Sequence, residues 1–160
     1  MNVTSNIRWK ELIVSAAVPL AAGGISSLIT ADGFREYAAV TKPPLSPPAW
    51  LFPVVWTVLY ILMGVSAYLI YNGGKTPEKS KKPLTVYAIQ LAMNFMWPIF
   101  FFSLDAYLFS FIWLLAMWVL VLVMTVMFYR VNRLAGLLQI PYLVWLTFAA
   151  YLNLSVYILN

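Results

Sequence analysis

Five apolar stretches, each free of Asp, Glu, Lys and Arg, occupy most of this 160-residue chain: Leu12–Thr30, Ala49–Tyr71, Leu84–Leu104, Ala106–Tyr129 and Leu134–Leu159. Each holds 19 to 26 residues. A helix needs about 20 apolar residues to cross the hydrocarbon of a bilayer. Inside lipid the backbone must satisfy its own hydrogen bonds, so such runs are helices. The alternating pattern of a membrane β-barrel is absent. The expected fold is therefore an all-α integral membrane protein, one domain over residues 1–160, built as a five-transmembrane-helix bundle.

The charge is unevenly placed. Charged residues make up only 9% of the chain, yet the net charge is +5. Eight of the ten Lys and Arg fall on one side of a five-span layout. They are Arg8, Lys10, Lys75, Lys79, Lys81, Lys82, Arg130 and Arg133, with only Arg35 and Lys42 opposite. Cytoplasmic loops collect Lys and Arg. This predicts a cytoplasmic N-terminus, with the C-terminus and the first connection outside; helical spans favour an inner, cell membrane over an outer one. The basic loop Lys75–Lys82 is expected to meet anionic lipid headgroups. This distribution also argues against a nucleic-acid partner. The first span follows a basic tail without a small-residue cleavage site and reads as an uncleaved insertion signal.

Chemistry is narrowed by what is missing. There is no cysteine and no histidine, which removes disulfides, thiolates, zinc sites and His-ligated haem. No metal site and no resident cofactor are expected. No ionisable residue lies at mid-membrane, which weighs against a pump or ion-coupled transporter but leaves a passive carrier open. A nucleophile–base pair would need Ser or Thr with Lys, and every Lys is in a loop, so hydrolysis is disfavoured.

What remains is aromatic and amide chemistry on helix faces. Trp56, Tyr60 and Met63 share a face of the second span; Tyr87, Gln90, Asn94, Trp97 and Phe101 form a stripe on the third; Tyr142, Trp145, Ala149 and Leu152 do so on the fifth, with Asn153 beside them. Few polar groups lie within the spans; they are Gln90, Asn94, Gln139 and Asn153, with some Ser and Thr. Such groups turn toward a bundle interior, as a ligand site or as hydrogen bonds between helices. The fourth span is almost wholly Leu, Val, Met, Phe and Trp and reads as lipid-facing or interfacial. In the first, Pro19 and Ala21-Ala22-Gly23-Gly24 suit close packing within the monomer or a dimer face. The connection Ala31–Pro48 carries four prolines in six residues and is either a lid or a stiff redirecting turn. A cavity of this make-up suits a flat hydrophobic ligand held by stacking, with Arg35 and Lys42 at its mouth to pair with carboxylates. A planar dicarboxylic tetrapyrrole has that shape. Trp50, at a span end, also fits an interfacial aromatic belt.

These residues resemble the tryptophan-rich sensory protein or translocator protein family (TspO/MBR, the peripheral-type benzodiazepine receptors), in a bacterial form. The resemblance is carried by Lys42-Pro43, Pro47-Pro48-Ala49-Trp50, Phe52, Trp56, Leu59-Tyr60 and Met63-Gly64. It continues through Gln90-Leu91, Asn94, Trp97-Pro98 and Phe100-Phe101, and ends with Pro141-Tyr142, Trp145, Phe148-Ala149 and Leu152-Asn153. It implies a homodimeric five-helix bundle whose pocket, capped by the loop between helices 1 and 2, binds porphyrins such as protoporphyrin IX and synthetic flat ligands. Tyr37, Trp50, Asn94, Trp97 and Ala149 would line or cover that pocket. Some members degrade protoporphyrin IX in light, and the two implicated tryptophans correspond to Trp56 and Trp145. The expected function is a membrane receptor or sensor for porphyrin-like ligands. A light-dependent porphyrin-degrading enzyme, a carrier of lipophilic metabolites and a ligand-free scaffold are the alternatives. Four departures stand out, one of them the absence of the carboxylate that many members carry in helix 4. Glu36 precedes Tyr37 where many members have tryptophan. Leu45 replaces a frequent aromatic. Tyr157 lacks the following basic residue of the animal cholesterol pattern, so cholesterol binding through it is not expected.

Overall fold

Proline and charge set the ends of the helices. The computed structural model describes residues 7–73 and 77–160. Helix α1 runs Trp9–Ile29, α2 Ala31–Glu36, α3 Leu51–Gly73, α4 Pro77–Pro98, α5 Tyr107–Val131, α6 Arg133–Leu137 and α7 Ile140–Leu159. A 3₁₀ turn, Tyr37–Ala39, follows α2, and a π-helical turn, Ile99–Ser103, follows α4. Among the described residues there is no strand. Five stretches are long and apolar enough to cross a membrane: α1, α3, Glu78–Ser103, α5 and Arg133–Leu159. Large apolar side chains such as Ile13, Val18, Leu28, Val119 and Val144 stand exposed around the bundle. This surface is that of a protein whose solvent is lipid.

Three expectations are corrected. The third long helix, α4, begins at Pro77, not Leu84. Lys79, Lys81 and Lys82 therefore lie on helical turns rather than in a loop; Lys75 lies outside the described residues. Lysine has good helix propensity and, exposed here, costs the helix nothing by extending beyond the apolar segment. Second, α2 and the 3₁₀ turn occupy the first half of the Ala31–Pro48 connection. Only the proline-rich half is irregular, as missing N–H donors require. Third, α5 is not merely lipid-facing. Ser110, Leu114, Met117, Val121, Met124 and Phe128, three and four residues apart, are all buried. They form a continuous core seam against α4 and α7.

Helix α1 sits at the edge, with only Pro19 and Ser26 buried. It joins α3 where Gly64 meets the backbone of Ser15 and Ala16, so that any Cβ at Gly64 would collide. The Ser15 hydroxyl donates to the Gly64 carbonyl at 2.7 Å. Close approach through a small residue is the usual way membrane helices gain van der Waals contact. The end of the bundle carrying α2 and the start of α3 is called here the lid end; the end carrying Arg8, Lys79 and Arg133 is the basic end.

Candidate functional site

Phe52, Trp56 and Tyr60 recur every fourth residue along α3 and so share one face near the lid end. Pro98 gives α4 a different ending. Its ring removes one N–H and crowds the carbonyl four residues back. Beyond it the helix widens, and the Leu104 N–H bonds the Ile99 carbonyl, five residues back, at 3.1 Å. Turns of this kind often mark functional sites. Here it brings Phe101 and Phe102 beneath α2. Asp105, in the left-handed region at φ 48°, then turns the chain into α5.

These elements surround a cavity of about 490 Å³, within the range that holds small organic ligands. Its walls include Trp56 and Tyr60 from α3, Asn94 and Trp97 from α4, and Trp145 and Ala149 from α7. Leu20, Gly23, Gly24 and Ser27 of α1 form another wall, and Phe34, Arg35 and Phe102 close the lid end. The Trp56 ring stacks on Tyr60 at 5.5 Å and meets Tyr142 edge-on at 6.2 Å. Phe52 meets Trp145 edge-on at 6.0 Å.

The buried amides fix this wall. The Tyr60 hydroxyl donates to Asn94 Oδ1 at 2.7 Å. Asn94 Nδ2 donates to the Tyr142 hydroxyl at 2.9 Å, which donates to Gln90 Oε1 at 3.1 Å. Asn153 Oδ1 accepts from Trp97 Nε1 at 3.2 Å and from the Ser110 hydroxyl at 3.1 Å. Its Nδ2 donates to the Tyr107 carbonyl at 2.8 Å. The hydroxyls of Ser26, Thr30 and Thr57 all donate to backbone carbonyls. The Trp145 indole N–H is buried and has no partner within the protein.

A second, smaller cavity of about 180 Å³ lies within the lid. Tyr37, Ala38, Lys42, Ser46 and Pro47 line it, and it shares Phe34, Arg35 and Phe52 with the larger one. The lid is tied down at both ends. Phe34 and Tyr37 pack edge-on against Phe102 at 5.3 and 5.4 Å. The Tyr151 hydroxyl donates to the Pro44 carbonyl at 2.9 Å, and the Asn160 side chain pairs with both the N–H and C=O of Thr41 at 3.1 Å. Lys42 Nζ lies 5.1 Å from the Tyr37 ring centre, within cation–π reach. Burial pushes the Tyr37 phenol above its ordinary value of 10.0. Arg35 pairs with Asp32 at 3.5 Å, both side chains open to solvent.

The residues singled out from the sequence thus separate into groups. Trp56, Tyr60, Asn94, Trp97, Trp145, Ala149 and Arg35 line the larger cavity; Tyr37, Lys42 and again Arg35 line the smaller. Trp50 is exposed and lines neither, as does Leu45, which holds a left-handed φ of 71°. Gln90 and Asn153 are buried behind the wall, holding its side chains rather than facing the space. The sequence did not mark the α1 wall or the aromatics Phe34, Phe52 and Phe102 as lining a cavity. The four-residue spacing 52–56–60 would have found Phe52. Among the described residues no cluster of metal-ligating side chains occurs.

Comparison with known proteins agrees with this architecture. A family model described as TspO/MBR family matches residues 15–159. The chain is 36% identical to the tryptophan-rich protein TspO of Archaeoglobus fulgidus over 151 residues, covering 94% of this chain and 97% of that one. It is 39% identical to the translocator protein of Homo sapiens over 134 residues, covering 82% and 79%. It is 32% identical to the tryptophan-rich sensory protein of Cereibacter sphaeroides over 155 residues, covering 97% and 94%.

Proposed function

The chain belongs to the TspO/MBR family of integral membrane proteins, and from that premise we propose that it is a membrane receptor for flat, lipophilic, porphyrin-like ligands. The observation that carries this reading is the larger cavity: about 490 Å³ lined by the Trp56, Trp97 and Trp145 indoles and almost free of unpaired polar groups. Rigid aromatic walls favour a planar guest through stacking. The unpartnered Trp145 N–H and the Arg35 guanidinium at the lid end would orient its acceptor and acidic groups. Lys42, over the Tyr37 ring in the adjoining lid cavity, offers a second cation for a dicarboxylic ligand. Cytoplasmic placement of the basic end and assembly as a homodimer belong to the same proposal.

Titration of the purified protein with protoporphyrin IX in the dark, followed by tryptophan fluorescence, tests it. Saturable micromolar quenching is the expected result; linear, unsaturable quenching overturns the reading. A second reading, light-dependent porphyrin degradation, is favoured by one observation: Trp56 and Trp145 border the same cavity. It predicts pigment loss on illumination that fades in Trp145→Phe while dark binding persists.

A further inference from the structure

We propose that ligands enter the larger cavity sideways from the bilayer, through a gap between α1 and α3, rather than through the lid from water. This rests on the reading of that cavity as a ligand site, and adds the ligand's source: molecules already dissolved in lipid.

Three observations converge. First, five residues that line the cavity are also exposed: Arg35 at the lid end and, along the α1–α3 seam, Gly24 and Ser27 of α1 with Pro53 and Thr57 of α3. Small side chains on both facing helices leave the cavity wall incomplete there. Counting about 1.5 Å per residue, Gly24 and Thr57 lie about 8 to 9 Å inside the lid-end termini of their helices. That depth is hydrocarbon, not headgroup. Second, contact between the two helices is uneven along their seam. Gly64 lies directly against Ser15 and Ala16. Two turns on toward the lid end of α1, Gly23 rests on the Tyr60 ring. One residue further, a Cβ at Gly24 would meet nothing within 4 Å. Third, the lid is held by contacts at both of its ends. Phe34 and Tyr37 are packed on Phe102, and Thr41 and Pro44 are bonded to Asn160 and Tyr151 of α7. Opening the lid would break those contacts; entry between α1 and α3 would break none of them. The hydroxyl of Thr57 donates to the Pro53 carbonyl of its own helix at 2.7 Å, so the rim offers lipid no unsatisfied donor there.

The chain has no cysteine, so two engineered pairs can be compared cleanly in phosphatidylcholine vesicles. Gly24→Cys with Thr57→Cys, joined by a flexible, reductively cleavable bis-thiosulfonate, bars the lateral gap. Thr41→Cys with Asn160→Cys, joined the same way, locks the lid. Gly24→Trp fills the gap without a cross-link. Binding of protoporphyrin IX is followed in the dark by stopped-flow tryptophan quenching. Barring the gap should slow association by roughly tenfold or more relative to the same double-cysteine protein before cross-linking, and reduction should restore the rate. Gly24→Trp should behave alike, and the locked lid should bind at the wild-type rate. Slower binding through the locked lid with unchanged rates through the barred gap would overturn lateral entry while leaving the ligand site intact. Wild-type protein that shows no saturable quenching would overturn the site itself, and lateral entry with it.

Discussion

Asn94 joins three helices through one amide: it accepts from Tyr60 of α3 and donates to Tyr142 of α7. Replacing it with leucine strips the buried Tyr60 phenol of its acceptor and leaves Tyr142 only its bond to Gln90. Hydrogen bonds between membrane helices are worth about 0.6 to 2 kcal/mol each. Asn94→Leu should therefore lower stability by about 1 to 3 kcal/mol, read as a fall in the melting temperature in detergent. Tyr60→Phe removes one donor and should cost about 1 kcal/mol, with ligand stacking preserved. Gly23 is constrained differently, since any Cβ there would run into the Tyr60 ring. Gly23→Val should displace that ring, weaken its bond to Asn94 and reduce protoporphyrin IX affinity. An unchanged affinity would show that Tyr60 has room to move without reshaping the wall.

Among the elements, α5 is the one whose two faces look alike in sequence. Its buried seam includes Met117 at 1% exposure, while Val119 on the opposite side is 56% exposed. Met117→Ala should cost about 2 to 5 kcal/mol; Val119→Ala should stay within about 0.5 kcal/mol. Equal effects in denaturant titrations would refute the assignment of faces. The lid gives a pH prediction. Desolvation raises the Tyr37 phenol, so the docked lid holds it neutral. That contribution is complete below the ordinary value of 10.0 and is lost as pH rises through the higher docked value. Proteolysis of the segment around Lys42 should therefore be constant across neutral pH and accelerate only above about pH 10. In Tyr37→Phe the alkaline step should disappear.

For the whole molecule, the distribution of basic residues predicts a single orientation. A cysteine at Leu104, exposed beyond the π turn, should react with an impermeant maleimide on intact cells. One at Lys82 should react only after the membrane is opened. The reverse pattern would invert the topology and leave the bundle itself unaltered. The recognition of five spans and of the family were both borne out. The reason is that each depended on residues acting one at a time or on short local motifs.

Membrane insertion responds to each residue's own transfer free energy, and Lys and Arg bias sidedness through their own charge. The number of spans and the stripes of Trp56, Asn94 and Trp145 were accordingly present in the sequence. Span ends were less so, because a solvent-exposed lysine continues a helix as readily as it ends an apolar run; that is why α4 begins seven residues early. The rest depended on assembly. Lipid and protein interior are equally apolar, so no pattern along α5 distinguishes a core face from a lipid face. Trp50 and Trp56 are chemically identical, yet one is exposed and the other borders the cavity. Gln90 and Asn94 share a stripe, yet only Asn94 reaches the cavity wall. Those differences come from where neighbouring helices converge and part, which is a property of packing between segments distant in sequence.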